Sequence, residues 1–583
     1  MLQKLTLIVI TAFATAYVAA KIFNESNADL LSETGYDIEY KKKNAILCGP
    51  DWEALNELLD ETDIPLIPGA GNYTWSISTK SDSAQLYFNQ GINMYYSFHI
   101  IEAMASFKKA VKFDPGCAML YWAQALAYGP NINDLGYAAS PAALQAMQMA
   151  AQSSAKAGVM EKALINAIQV RYTADSADAS RSKLNRAYTA MMKMVYEKFP
   201  DNADAQALYA DALMLEHPWD LWKINGMPKP WTPLIQEVLE QLLAKTPGHP
   251  GANHYYIHVM EPSPYAYKAL PSADRLGKLT PGLSHTVHMP SHIYLRTGHY
   301  QKGVTVNENA VNSYKKIIPL YNPVTGNDFL YIIHNLHMKT NNALMAGLSE
   351  YAVQAAAETV KSIPAEYLSF PAPLGSAVQY IYMTPTLVNV RFGKWNELLL
   401  AAQPGEKFVY ANIFFHFGRG MALAHQLKPD EAKTELKKMQ QLMKDSSLYI
   451  PFSPFSPAID GAVVAEHLLK GSIALTEKKY TEAIAAFIKA VSTEENMIYN
   501  EPRDWLLNPK HYLGNAYLDN NQPVEAEKIF KKDLLNNNEN GWALYGVYQA
   551  LLSQKKNAKA QIMLAKYQKA FIKADVKLHA AVF

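Results

Sequence analysis

A chain of 583 residues, 49% hydrophobic and 18% charged, is too long for one compact core and too apolar for disorder, so several domains or an extended solenoid are expected. A net charge of +1 without a long basic run removes the usual electrostatic basis for nucleic-acid binding. Two cysteines, Cys48 and Cys117, are too few for a disulfide framework or a thiolate metal cluster, and leave at most one bridge in an oxidising compartment.

The N-terminus has the order of a signal peptide. Lys4 precedes an apolar run from Leu5 to Ala20 that ends in small residues, which predicts export to the periplasm or secretion. A retained anchor is the alternative, and no other segment reaches the roughly 20 apolar residues of a membrane span. Residues 21–80 are Asn- and Lys-rich and then broken by Pro65, Pro68, Gly69 and Gly71, which predicts a partly irregular extension.

From residue 81 a 34-residue period emerges, the mark of stacked helical hairpins. Tyr87, Gly91, Ala103, Phe107, Ala110 and Pro115 occupy the packing and terminating places of a tetratricopeptide repeat, where small residues let two helices approach and aromatics fill the gap. Better-formed copies carry Gly471, Tyr480, Ala483, Phe487 and Ala490, then Gly514, Tyr517, Ala526 and Phe530, and a looser copy starts at Gly541. The expected fold is an all-α tetratricopeptide-repeat helical-hairpin solenoid, with divergent repeats over 81–400 and regular ones over 401–583. Stretches at 129–150, 217–233, 317–332 and 363–386 carry Pro or Gly and read as loop insertions able to cover or narrow the groove.

Nine of the 16 histidines fall between residues 249 and 337, and their register is the strongest functional signal. If one repeat begins at Pro250 and the next at Ser284, His254 and His258 share a helix face with Glu261 one turn on. His285, His288 and His292 share the next face, and His334 and His337 a third. Asp211 takes the matching place on an earlier helix. Neutral imidazoles with a carboxylate form a ligand set for zinc, copper or iron, and His254, His258, His285, His288 and His292 are the metal candidates. Pro290 interrupts this picture, because a helix that starts there puts His285 and His288 on the entering segment. The order His-Glu-x-x-His is absent, which excludes a zinc-protease motif of that kind.

The chain resembles a group of bacterial tetratricopeptide-repeat proteins of largely unassigned function. The likeness lies in Phe88-Asn89-Gln90-Gly91, His254-Tyr255-Tyr256-Ile257-His258, His288-Met289-Pro290-Ser291-His292, His334-Asn335-Leu336-His337, and Tyr499 with Glu501-Pro502 and Trp505. Arg503 departs from the second proline usual after Glu-Pro. The resemblance implies the repeat fold, a shared site and a concave groove onto which the histidine faces open.

Three roles fit these residues. The leading one is an exported scaffold that binds a peptide, protein or small ligand in the groove, a role repeats suit more readily than enzymatic chemistry. The second is a metal-binding protein or metal-dependent enzyme built on the histidines. The third is a structural network of His and Tyr side chains.

Overall fold

The computed structural model describes residues 52–583 apart from 62, 135–136, 138, 176–177, 179, 322–328, 453 and 502–504. The expected signal segment (1–20), residues 21–51 of the extension, Cys48 with its possible bridge, and the Arg503 departure lie outside the described residues. Among the described residues the chain is helical, with one isolated antiparallel bridge between Trp222 and Pro228. No described helix is long and apolar enough to cross a membrane.

The architecture is a tetratricopeptide-type solenoid in which successive helices pack as antiparallel hairpins. Asp82–Tyr96 pairs with Ile100–Phe113, Ala458–Thr476 with Tyr480–Asn496, Pro509–Asp519 with Pro523–Asn536, and Gly541–Ser553 with Asn557–Ala570. One steric rule repeats. Gly91, Gly471 and Gly514 face the rings of Phe107, Phe487 and Phe530, each sixteen residues on, and a Cβ would stand 2.3, 2.4 and 2.4 Å from those rings. The missing side chain is what lets the paired helices close around an aromatic.

The expected insertions at 129–150 and 363–386 contribute helices of their own, Pro141–Gln152 and then Leu374–Tyr382 with Thr384–Arg391. Their prolines start helices instead of breaking them. Pro141 is a first-turn residue behind Ser140, whose hydroxyl accepts from the Ala142 N–H at 3.2 Å, and Pro385 also lies in a first turn. Within the N-terminal extension Trp52–Glu61 is helical, and 63–80 is without regular secondary structure.

The superhelix curls until distant repeats touch. Pro250–Met260 packs on Asp82–Tyr96, with Gly251 against the Tyr96 ring. The Trp542 indole N–H donates to the Leu344 carbonyl at 3.0 Å, and Tyr300 Oη donates to the Asn538 carbonyl at 2.7 Å. Two large apolar clusters fill the interior and meet near residue 300. The repeats that carry the histidines thus lie inside a closed turn of solenoid.

Phe530 is held between Gly514 and Gly546, so Gly514→Ala forces a methyl into a ring with no room to move. Overpacking of about 1–3 kcal/mol outweighs the gain of up to about 1 kcal/mol in helix propensity. Urea denaturation is expected to show a lower midpoint for Gly514→Ala, partly recovered when Phe530→Leu is added.

Candidate metal centre

Three places in the chain supply most of the site, and His334, Tyr499 and Glu501 join it from further along. The first is the turn after Asp82–Tyr96, where Phe98 adopts a left-handed backbone (φ 55°), rare for a bulky residue. That turn aims the Tyr96 carbonyl and the Phe98 ring at His254, with the ring centroids 4.4 Å apart. The second is Pro250–Met260, which begins behind the His249 cap and places His254 and His258 one turn apart, with Glu261 at its C-terminal end. The third is Ser284–His288 followed by Pro290–Thr297.

Pro290 opens its own helical segment, as the alternative reading expects, yet the histidines stay on one face. Met289 between the two segments keeps helical angles (φ −48°, ψ −38°), and its N–H donates to the His285 carbonyl. The proline sits in the first turn, where its missing N–H costs little. His288 and His292 therefore remain one turn apart.

Two sets of three imidazoles result, His254 with His258 and His285, and His288 with His292 and His334. Within each set the ligand atoms lie within 4.8 Å of one another. The Nε2–Nε2 distances are 3.1 Å for His254 and His258 and 2.9 Å for His288 and His292. The edge of a tetrahedron around an ion at about 2.0 Å measures about 3.3 Å, so each pair matches it and the third ring must draw in slightly.

The opposite ring nitrogens decide where the protons are. His254 Nδ1 faces the Tyr96 carbonyl at 2.7 Å and His258 Nδ1 faces Glu261 Oε1 at 3.0 Å. His288 Nδ1 faces Asn307 Oδ1 at 2.8 Å, the amide being oriented by its own N–H bond to the Gly303 carbonyl, and His292 Nδ1 lies 3.0 Å from Glu261 Oε2. Each of those partners accepts, so each Nδ1 carries a hydrogen, and a ring that is neutral presents its lone pair at Nε2. Where both rings of a pair are neutral, two lone pairs face one another, a repulsive arrangement unless a cation lies between them. This is the outer-shell pattern of metal-bound histidine, with the remote nitrogen fixed by an oxygen.

Between His254 and His258 a proton is a poor candidate for that cation. Burial, reinforced by neighbouring histidines, holds His254, His285, His288 and His334 well below the ordinary imidazole value. His258 is lowered by burial and only partly restored by Glu261. Neutral buried imidazoles are the protonation state that metals bind.

Glu261 joins the two sets. Burial alone would raise its carboxyl, but His292 and His258 hold it well below the usual range, and Tyr499 Oη donates to Oε2 at 2.7 Å. Glu501 lies 3.6 Å from both His258 Nδ1 and His292 Nε2, and burial together with the Glu261 charge raises its carboxyl well above the usual range. One carboxylate is thus kept charged and its neighbour kept protonated.

The five metal candidates all lie in the two sets, and His334 completes the second. His337 belongs to neither and faces the adjoining cavity. Asp211 does not reach the histidines; Tyr95 Oη donates to it at 3.1 Å, and it belongs with Arg171 in a separate buried cluster. Instead of lining an open groove, five of the six rings of the two sets are buried and His334 is partly exposed. Trp219, from 217–233, lies edge-on to His258 at 5.5 Å, and Phe455 lies edge-on to Trp219 at 5.9 Å. Glu501, Tyr499, Asn307 and Phe98 were not read as site residues. Tyr499 and Glu501 stand in a stretch that carries the family resemblance, which was their only signal.

No family model matches the chain, and no curated protein matches it by sequence. Solved structures with a similar trace include the human IFIT1 dimer with m7Gppp-AAAA, at 10% identity and TM-score 0.29, covering 86% of this chain and 92% of that one. Yeast Tom70 gives 11% identity and TM-score 0.28 over 94% and 96% of the two chains. The P58(IPK) TPR domain gives 11% and 0.21 over 83% and 99%. Superpositions this loose carry no argument about the site.

The buried imidazoles make the metal-free protein sensitive to acid. They protonate near pH 6.5 when unfolded, whereas burial lowers His337 to about 4 and holds His254 well below its ordinary value. The unfolded state then binds more protons below pH 6.5, so stability is complete above that value and is lost as the pH falls towards 4. Each shifted group contributes about 1.4 kcal/mol per pH unit within its window. Urea titrations of chelator-treated protein at pH 7.5 and pH 5 are expected to differ by at least about 2 kcal/mol. Equal midpoints would contradict buried neutral rings.

Proposed function

We propose that the protein is a metal-binding helical-repeat protein that holds two transition-metal ions of the zinc, copper or iron type in its central turn. The observation that carries this reading is the pair of Nε2–Nε2 contacts, 3.1 and 2.9 Å, between rings whose Nδ1 atoms are each turned to an oxygen. A peptide-binding groove lined with histidines is less well supported, since most of the rings it would use are buried.

Three imidazoles per ion leave a fourth position open, the arrangement of catalytic rather than structural zinc. In that position an ion acts as a Lewis acid or acidifies bound water to a pKa near about 7. Glu501, beside both sets, is placed to exchange a proton there, and Glu261 orients His258 while its charge offsets that of the ions. The chemistry supported is metal-assisted catalysis on a small molecule.

Elemental analysis of protein purified without chelators or a histidine tag is expected to find close to two ions per chain. His254→Ala/His258→Ala and His288→Ala/His292→Ala should each remove one ion and spare the other. Metal absent from the unaltered protein, with both variants merely less stable, would return the cluster to a structural network.

A further inference from the structure

A cavity of about 180 Å³ opens beside the second histidine set. Its walls include Trp219, Phe329, Leu374 and Phe455, apolar side chains from four separate segments. Its polar lining includes His334, His337 and Glu501, together with Asn133, Ser376 and Asn500. His334 Nε2, His337 Nε2 and Glu501 Oε1 have no hydrogen-bond partner in the protein, and His337 is only 3% exposed. A buried polar atom left unpaired is costly, and in native proteins it usually marks a bound water, ion or ligand.

The size narrows the occupant. An engineered cavity of about 150 Å³ lined by apolar side chains takes up benzene, so this one admits a single six-membered ring with a small substituent. The polar face narrows it again. Imidazole nitrogens pair with a hydroxyl as donor or acceptor, whereas a carboxylate would be taken out of water into a cavity with no Lys or Arg in its lining.

We infer that this cavity binds a small uncharged phenol, ring against Trp219, Phe329 and Leu374 and hydroxyl towards His334, His337 and Glu501. His334 belongs to both the cavity and the second histidine set, so the ligand's oxygen sits at the edge of the metal centre. The inference deepens the metal reading by naming the class of molecule delivered to that site, and its binding is measurable apart from metal content.

The test is isothermal titration of the full chain with p-cresol, toluene and benzoate, metal-loaded and after chelator treatment, with metal content measured on the same samples. Saturable p-cresol binding is expected, about tenfold or more tighter than toluene, with none for benzoate. Leu374→Trp fills the cavity and should abolish p-cresol binding while metal content and far-ultraviolet circular dichroism stay unchanged. His337→Leu should weaken p-cresol about tenfold and leave toluene unaffected, which keeps the test open if Leu374→Trp fails to fold.

Equal affinity for toluene and p-cresol, p-cresol binding that survives Leu374→Trp, or no binding in either metal state would each overturn the inference. Metal present with no p-cresol binding overturns the cavity assignment alone. Variant-sensitive p-cresol binding to a protein without metal supports the cavity and overturns the metal reading.

Discussion

The centre of this molecule depends on one electrostatic constraint: imidazole lone pairs aimed at each other inside a space that excludes water. Neither half of that arrangement is stable alone. In water the rings would turn away or take a proton; in the interior, desolvation opposes the proton and packing opposes the turn. Tyr96, Asn307 and Glu261 hold the far nitrogens, so the rings cannot resolve the conflict by changing tautomer. For His254 and His258, the metal ion proposed above is the cation that would relieve the conflict.

The solenoid explains how such a site is built. Helical repeats contact only their neighbours, so an isolated row of hairpins could not enclose anything. Here the turn closes. Glu261, on the Pro250–Met260 helix, meets Tyr499 across 238 residues of chain, and Arg296 meets Asn538 across 242. Those long contacts carry Glu501 onto histidines presented by repeats in the first half, so the site and the curvature depend on each other.

The regular part of this design was visible in the sequence. Gly91, Gly471 and Gly514 recur with their phenylalanines because hairpin packing needs a small residue opposite a ring, and that need is local. The histidines were visible for the same reason: positions one turn apart on a helix share a face wherever the helix goes. The helices inside 129–150 and 363–386 were not read, because a proline marks a helix start as readily as a helix break and only the capping geometry at Pro141 and Pro385 distinguishes them. Glu501 was beyond reach. It lies outside any helical register, and its place beside His258 and His292 depends on superhelical closure, which no repeat period encodes.

A second histidine–carboxylate cluster in the same chain shows what a structural network looks like. His511 donates from Nε2 to Asp533 at 2.8 Å, and its Nδ1 meets the Arg391 guanidinium at 3.1 Å. Asp533 is further bonded by Asn508, Asn537 and Asn540, with the last at 2.8 Å. Both ring nitrogens and both carboxylate oxygens are paired, and His511 is held by opposite charges on either side. Such a cluster joins helices through His511 and Asp533. In the central cluster neither nitrogen of His285 has a partner, His334 and His337 each leave Nε2 bare, and two Nε2 pairs collide. The kind of residue is the same in the two places. The difference is ring nitrogens left without a protein partner, the capacity that the proposed metal centre would use.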